Sequence, residues 1–168
     1  MSSSFQIKGF EKLNKALEDS REQIKEEFLD SMAGATLSEA RRLLKEGNIA
    51  NSKSPQKNAY YTGELSRSSG VARDGDNKRR VYFDTPYAIA TEYGRPKGSH
   101  PPVQPLIEWA DYRGFKDPVG SAWAIAKKIE RDGMLPRPFL QPAVVFTRSI
   151  LRDIWIDAVK KAKIDNGL

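Results

Sequence analysis

The chain contains no cysteine and a single histidine, His100. A disulfide framework and any thiolate metal site are therefore excluded, and a histidine-rich metal site cannot be built. No apolar run approaches the ~20 residues of a membrane-spanning helix, so no membrane partner is expected. The opening stretch MSSSFQIKGF lacks the apolar core of a secretory signal, and synthesis in a reducing cytoplasm is expected. Hydrophobic residues make up only 39% of the 168 positions. A core this lean on a chain this size suggests that assembly supplies further burial.

What is abundant is charge. Charged side chains are 30% of the chain, with a net charge of +6. The excess is uneven. Residues 1–50 carry 8 basic and 9 acidic side chains, residues 51–100 carry 9 and 5, and residues 101–168 carry 11 and 8. A basic middle and C-terminal part raises the prospect of an anionic partner.

Residues 8–47 read as one long helix or two in series. Phe10, Leu13, Leu17, Ile24, Phe28, Leu37, Ala40, Leu43 and Leu44 fall on one stripe at helical spacing. Gly34 predicts a kink or break, and Gly47 a C-cap. Unbroken, the helix would reach ~60 Å, long enough to project and pack against something else. Residues 48–62 are polar and punctuated by Asn, Ser and Pro, as loops are.

Ser66 to Arg73 reads as a weak strand, Asp74 to Lys78 as a hairpin turn and Arg80 to Asp84 as a second strand. Ala88 to Tyr93 fits a third strand or a short helix. Pro105 to Tyr112, Val119 to Arg131 and Gln141 to Lys163 read as amphipathic helices. The expected architecture is α+β: a long N-terminal helix, a small antiparallel β-sheet and two or three C-terminal helices, in one domain spanning residues 1–168.

A search for chemistry returns little. His100 has Ser99 beside it but no visible base–nucleophile arrangement, so it reads as an exposed loop histidine. GRPKG, Gly94 to Gly98, has two glycines and two cations. It lacks phosphate-loop spacing, and Pro101 and Pro102 intervene before any helix. Asp74, Asp76 and Asp84 suit turns. Glu92 is expected to pair with Arg79, Arg80 or Arg95 at a strand end. Trp109, Trp123 and Trp155 lie on helical stripes and read as core or subunit-contact residues. No catalytic, cofactor-binding or metal-ligating residue is assigned, and no enzyme activity is expected. Basic residues interleaved with aromatics in NKRRVYF and YGRPK keep nucleic-acid binding open as a second class.

Three segments occur in a telling order: YTGELSRSS from Tyr61, YAIATEYGRP from Tyr87 and LPRPFLQPAV from Leu135. Together they resemble the neck, or tail-completion, family of long-tailed bacteriophages. Its members show a Thr-Gly-x-Leu element, a Tyr-Ala…Glu-x-Gly element and a Pro-Phe-x-x-Pro-Ala element after a long N-terminal helix. On this resemblance, Thr62, Gly63, Leu65, Gly94, Pro138, Phe139 and Pro142 are structural motif positions. The departures are EYGRPKG, where many members have Glu-Phe-Gly-Thr, and Ser68-Ser69, where an apolar residue often follows the first serine.

The resemblance implies a non-enzymatic virion protein, built in the host cytoplasm and needed for tail maturation and head–tail joining. It implies a homo-oligomeric ring of six subunits beside tail-terminator, head-closure or connector rings, with DNA passing through its lumen as a further contact. A tail terminator and a basic nucleic-acid-binding accessory protein are the alternatives. The candidate interface residues are Arg79, Arg80, Tyr87, Glu92, Tyr93, Arg95, Lys97 and His100. Phe139 is expected to anchor the last helix in the core, and Gly94 to need a positive φ.

Overall fold

The computed structural model describes the backbone of residues 10–46 and 63–166, with side chains from residue 14 onward. Gly47, the polar segment 48–62 and the motif position Thr62 lie outside the described residues.

Helix α1 runs unbroken from Phe10 to Glu46, about 55 Å at 1.5 Å per residue. The break expected at Gly34 does not occur. Ala33 and Ala35 flank that glycine, and nothing lies within 4 Å of where its side chain would be. The ~1 kcal/mol propensity cost of one glycine is therefore not compounded by crowding, and the helix is braced along its length by what packs on it. Charge also favours continuity: Arg42 bridges Glu39 at 2.7 Å and Glu46 at 2.6 Å along one face.

The segment after Gly63 makes one helical turn, α2 (Glu64–Arg67), before strand β1 (Ser69–Arg73). The strand thus starts three residues later than the sequence suggests. Gly63 adopts φ 74°, and the turn closes through Arg67 N–H to Gly63 O at 2.9 Å. Strand β2 (Arg79–Phe83) pairs antiparallel with β1, with Val71 opposite Val81 and Ser69 opposite Phe83. The face carrying Arg79 and Phe83 turns toward α1, which is how a two-stranded sheet, marginal alone, is held. Arg41 of α1 donates to Ser69 Oγ at 3.0 Å and to Ser69 O at 2.8 Å.

The Ala88 to Tyr93 segment is helical, α3, and not a third strand. Helices α4 (Gln104–Tyr112) and α5 (Pro118–Asp132) form a hairpin. Asp117 caps α5 by accepting from Gly120 N–H at 2.9 Å, and Pro118 opens its first turn. The final helix is two helices, α6 (Leu140–Ser149) and α7 (Leu151–Asp165). Ile150 leaves helical geometry at φ −106°, ψ 9°, and the Ser149 hydroxyl bonds back to Phe146 O at 2.6 Å. The break lets each half lie separately along α1.

Both halves run antiparallel to α1. Thr36 meets Thr147 at 2.9 Å, Phe28 meets Trp155 edge-on with ring centroids 5.4 Å apart, and Asn166 reaches Gln23 at 2.7 Å. The contact faces are alanine-rich: Ala33 and Ala40 on α1, Ala143 on α6, Ala158 and Ala162 on α7 are all buried. Small residues allow close backbone approach, so a core with few large side chains still packs densely. The larger side chains gather at one end, where Leu43, Leu44, Leu65 and Phe139 form the core cluster with Phe83 and Tyr87 packed around it. The architecture is α+β, and no described helix is long and apolar enough to cross a membrane.

Candidate functional site

The start of α6 needs an acceptor from elsewhere in the chain. Its N-cap position is Phe139, which offers none, and the three residues that follow are Leu140, Gln141 and Pro142. Helix starts leave backbone N–H groups orphaned. Here a carboxylate from 47 residues away accepts them. Glu92 Oε2 takes Phe139 N–H at 2.7 Å and Leu140 N–H at 2.9 Å, and Oε1 takes Gln141 N–H at 2.9 Å. Pro142 has no N–H to satisfy. The negative charge also faces the positive end of the helix dipole.

Glu92 is only 6% exposed. It therefore does not pair with Arg79, Arg80 or Arg95 as the sequence suggested. Its partners are main-chain amides, which no charge-pairing rule would reveal. Read from sequence alone, this helix starts at Gln141, so the uncapped amides of Phe139 and Leu140 whose N–H groups Glu92 accepts are not in view.

The residues around Glu92 fix it from both sides. Gly94 ends α3 at φ 76°, the left-handed region open to glycine. A side chain there would collide with Met134 O and sit 2.9 Å from Pro136 N. Arg95 and Met134 exchange backbone hydrogen bonds at 2.9 Å each, and Arg137 N–H donates to Thr91 O at 2.8 Å. Phe139, 3% exposed, meets Phe83 edge-on at 4.8 Å and shares the core with Leu65. Leu65, Tyr87, Ala88, Glu92, Phe139 and Leu140 thus meet at one junction, although they are far apart in sequence.

The basic loop that follows is different in kind. Arg95 donates to Ser99 Oγ at 3.2 Å and to His100 O at 3.4 Å. His100 is an exposed loop histidine, as the sequence suggested, and it has partners: its Nδ1 lies 3.1 Å from Glu130 Oε2, and its ring rests against Trp123 at 5.8 Å. This pair stands in solvent, with His100 40% and Glu130 47% exposed. Lys97 is exposed.

The two arginines of β2 separate. Arg79, with its side chain only 5% exposed, is held by Glu26 at 2.5 Å and by Asp30. The hydrogen bond to Asp30 raises its pKa above the ordinary arginine value, with Glu26 adding to the effect. Arg79 fastens the sheet to α1 and is withdrawn from the candidate interface. Arg80 is exposed and bridges Asp74 at 2.9 Å, while Lys78 reaches the same carboxylate at 2.8 Å. These two bonds, Lys78's first, hold the Asp74 carboxyl down to about 2. Of the tryptophans, Trp109 stacks with Phe115 at 5.6 Å within the α4–α5 hairpin, whereas Trp123 and Trp155 are half-exposed and so not core residues.

Between α3, the prolines after His100 and the α4–α5 hairpin lies a cavity of about 370 Å³, within the usual size range of binding pockets. Tyr87, Pro101, Leu106, Trp109 and Ile129 give it apolar walls, and Arg95 and Glu108 bring polar groups to it. Among the described residues no group of three or more His, Cys, Asp or Glu is arranged to hold a metal ion. Apolar side chains thus predominate in the lining, with Glu64 and Arg137 as further charged groups beside Arg95 and Glu108.

No protein-family model, curated protein or solved structure matches this chain.

Proposed function

We propose that this chain is a non-enzymatic structural protein of a tailed bacteriophage virion, a neck or tail-completion component that forms a ring at the head–tail junction and serves tail maturation and head–tail joining. One observation carries the reading. The described parts of the three segments that resemble the neck family meet through Leu65, Glu92, Gly94 and Phe139 at one junction. Their buried side chains, Leu65, Glu92 and Phe139 among them, serve rigidity, while Glu64, Ile89 and Tyr93 of the same segments stand at the surface. A protomer with an alanine-based core and large exposed apolar side chains on α3 gains burial by packing against neighbours.

On this reading its partners are copies of itself, adjacent terminator, head-closure or connector rings, and DNA in the lumen, and it uses no cofactor. The test is its position in an intact virion, together with tails assembled without it. Density for this chain at the neck and tails that fail to join heads are expected. Infectious particles of normal morphology lacking the chain would overturn the proposal. Density at the end of the tail tube would make it a terminator. The nucleic-acid reading is weakened by the engagement of Arg79 with α1. It predicts salt-steep DNA binding that disappears when Arg80, Arg95 and Lys97 are replaced.

A further inference from the structure

Helix α3 is short, yet each of its faces has a distinct environment. Ala88 packs on the core and Glu92 is buried at the α6 cap. Tyr87, Ala90 and Thr91 line the cavity. Ile89 and Tyr93 occupy the remaining face, 74% and 73% exposed. At 3.6 residues per turn this face is rotated roughly 130° from the cavity face. Residues four apart on a helix are neighbours, so Ile89 and Tyr93 make one apolar projection. Scattered exposed apolar residues are ordinary, but an adjacent pair this large and this exposed marks a contact surface.

The cavity is a suitable receptor for such a projection. Its apolar walls would take an isoleucine side chain and the face of a phenol ring. Arg95 and Glu108 offer a donor and an acceptor where a tyrosine hydroxyl needs one. The charged groups around the cavity balance, with Arg95 and Arg137 beside Glu64 and Glu108, and exposed Glu108 offers an opposite charge to the exposed Lys97 on the loop beyond Tyr93.

We infer that the Ile89–Tyr93 face of one protomer docks in the cavity of a second copy of this chain. Projection and cavity occupy different faces of the same helix, so a protomer cannot fill its own cavity. The contact is heterologous. Each docking event leaves one free projection and one free cavity, and growth continues until rotation closes a ring. Closure of the assembly rests on the ring reading above, while the contact itself does not.

The absence of native cysteine makes the test clean. Tyr93→Cys and Leu106→Cys are made separately, mixed, and treated with a short bismaleimide. The mixture should yield crosslinked dimers containing one chain of each kind, and the double variant a ladder of oligomers. Ile89→Asp should abolish oligomers on size exclusion with light scattering, with an unchanged circular dichroism spectrum. Self-crosslinking of Tyr93→Cys alone, a wild-type chain that stays monomeric at high concentration, or an Ile89→Asp protein that still assembles would each overturn the contact. Neck density in virions without the Tyr93–Leu106 crosslink would leave the ring reading standing and remove this one. A crosslinked ladder from a chain missing from the virion would do the reverse.

Discussion

Glu92 and His100 sit eight residues apart, and each ties its segment to a distant helix. The ties differ in surroundings more than in chemistry. Glu92 is enclosed, accepts three main-chain N–H groups, and has no water competing for them at the buried Phe139 amide. His100 meets Glu130 in the open, where solvent offers both partners an equal alternative. Burial turns the first into part of the fold and leaves the second as a replaceable surface contact. The same division runs through the arginines: Arg79 is enclosed and structural, Arg80 open and available.

The largest expected effect lies on the enclosed side. Phe139→Ala should cost ~3–5 kcal/mol in denaturant unfolding, because a 3%-exposed aromatic in contact with Phe83 leaves a cavity that its neighbours cannot refill. A loss under about 1 kcal/mol would mean the junction is not the packed centre described. Glu92→Ala comes next, at about 2–4 kcal/mol, since it strands three amides at a helix start. Glu92→Gln, keeping one acceptor oxygen, should fall between that and wild type. Equal stability of Glu92→Ala and wild type would erase the contrast with His100.

Two glycines sharpen the comparison further. Gly94→Ala forces a side chain into φ 76° and onto Met134 O, and should cost at least ~1–3 kcal/mol. Gly34→Ala meets nothing within 4 Å in the middle of α1 and should stabilise by ~0.5–1 kcal/mol. Thermal melts of the pair give opposite signs if the reading of the two environments is right. On the open side, His100→Ala should change unfolding free energy by under ~1 kcal/mol. A larger loss would place the loop inside the fold's cooperative unit.

These contrasts also mark what was legible in sequence. Periodicity located α1, the hairpin strands, α4 and α5, because local patterns follow the geometry of one element at a time. The positive φ expected at Gly94 came with the Glu-x-Gly element of the resemblance, and the chain adopts it at 76°. Phe139 as core anchor was expected from the Pro-Phe-x-x-Pro-Ala element, and it is 3% exposed. The helical state of Ala88–Tyr93 was left open because its residues fit both periods, and burial of Glu92 against α6 chose between them. The break at Ile150 was missed and the one expected at Gly34 is absent, so that of one long helix or two in series the chain forms one; both outcomes depend on what packs alongside. Capping by Glu92, the Arg79 clamp on Glu26 and Asp30, and the His100–Glu130 pair join residues 30 or more positions apart. Spacing within one element cannot encode such partners. The cavity beside α3 has the same origin, since its walls come from α3, α4, α5 and the prolines between them.

The smallest expected effect concerns a third carboxylate, Asp74, at the exposed hairpin turn. Its folded-state pKa of about 2 lies below its ordinary value of 3.8, held there by Lys78 and then Arg80. Its stabilising contribution is therefore complete above pH 3.8 and lost as pH falls toward 2. Because the site is open to water, that loss should loosen the turn without unfolding the chain. Carboxyl titration followed by nuclear magnetic resonance should give a midpoint near 2 for Asp74. Lys78→Ala should move it part of the way toward 3.8, and adding Arg80→Ala should move it further. Cooperative unfolding of the whole chain through the same midpoint would place this turn on the enclosed side of the comparison, with Glu92. Retention of helical circular dichroism while only β1 and β2 amide signals shift would keep it on the open side, with His100.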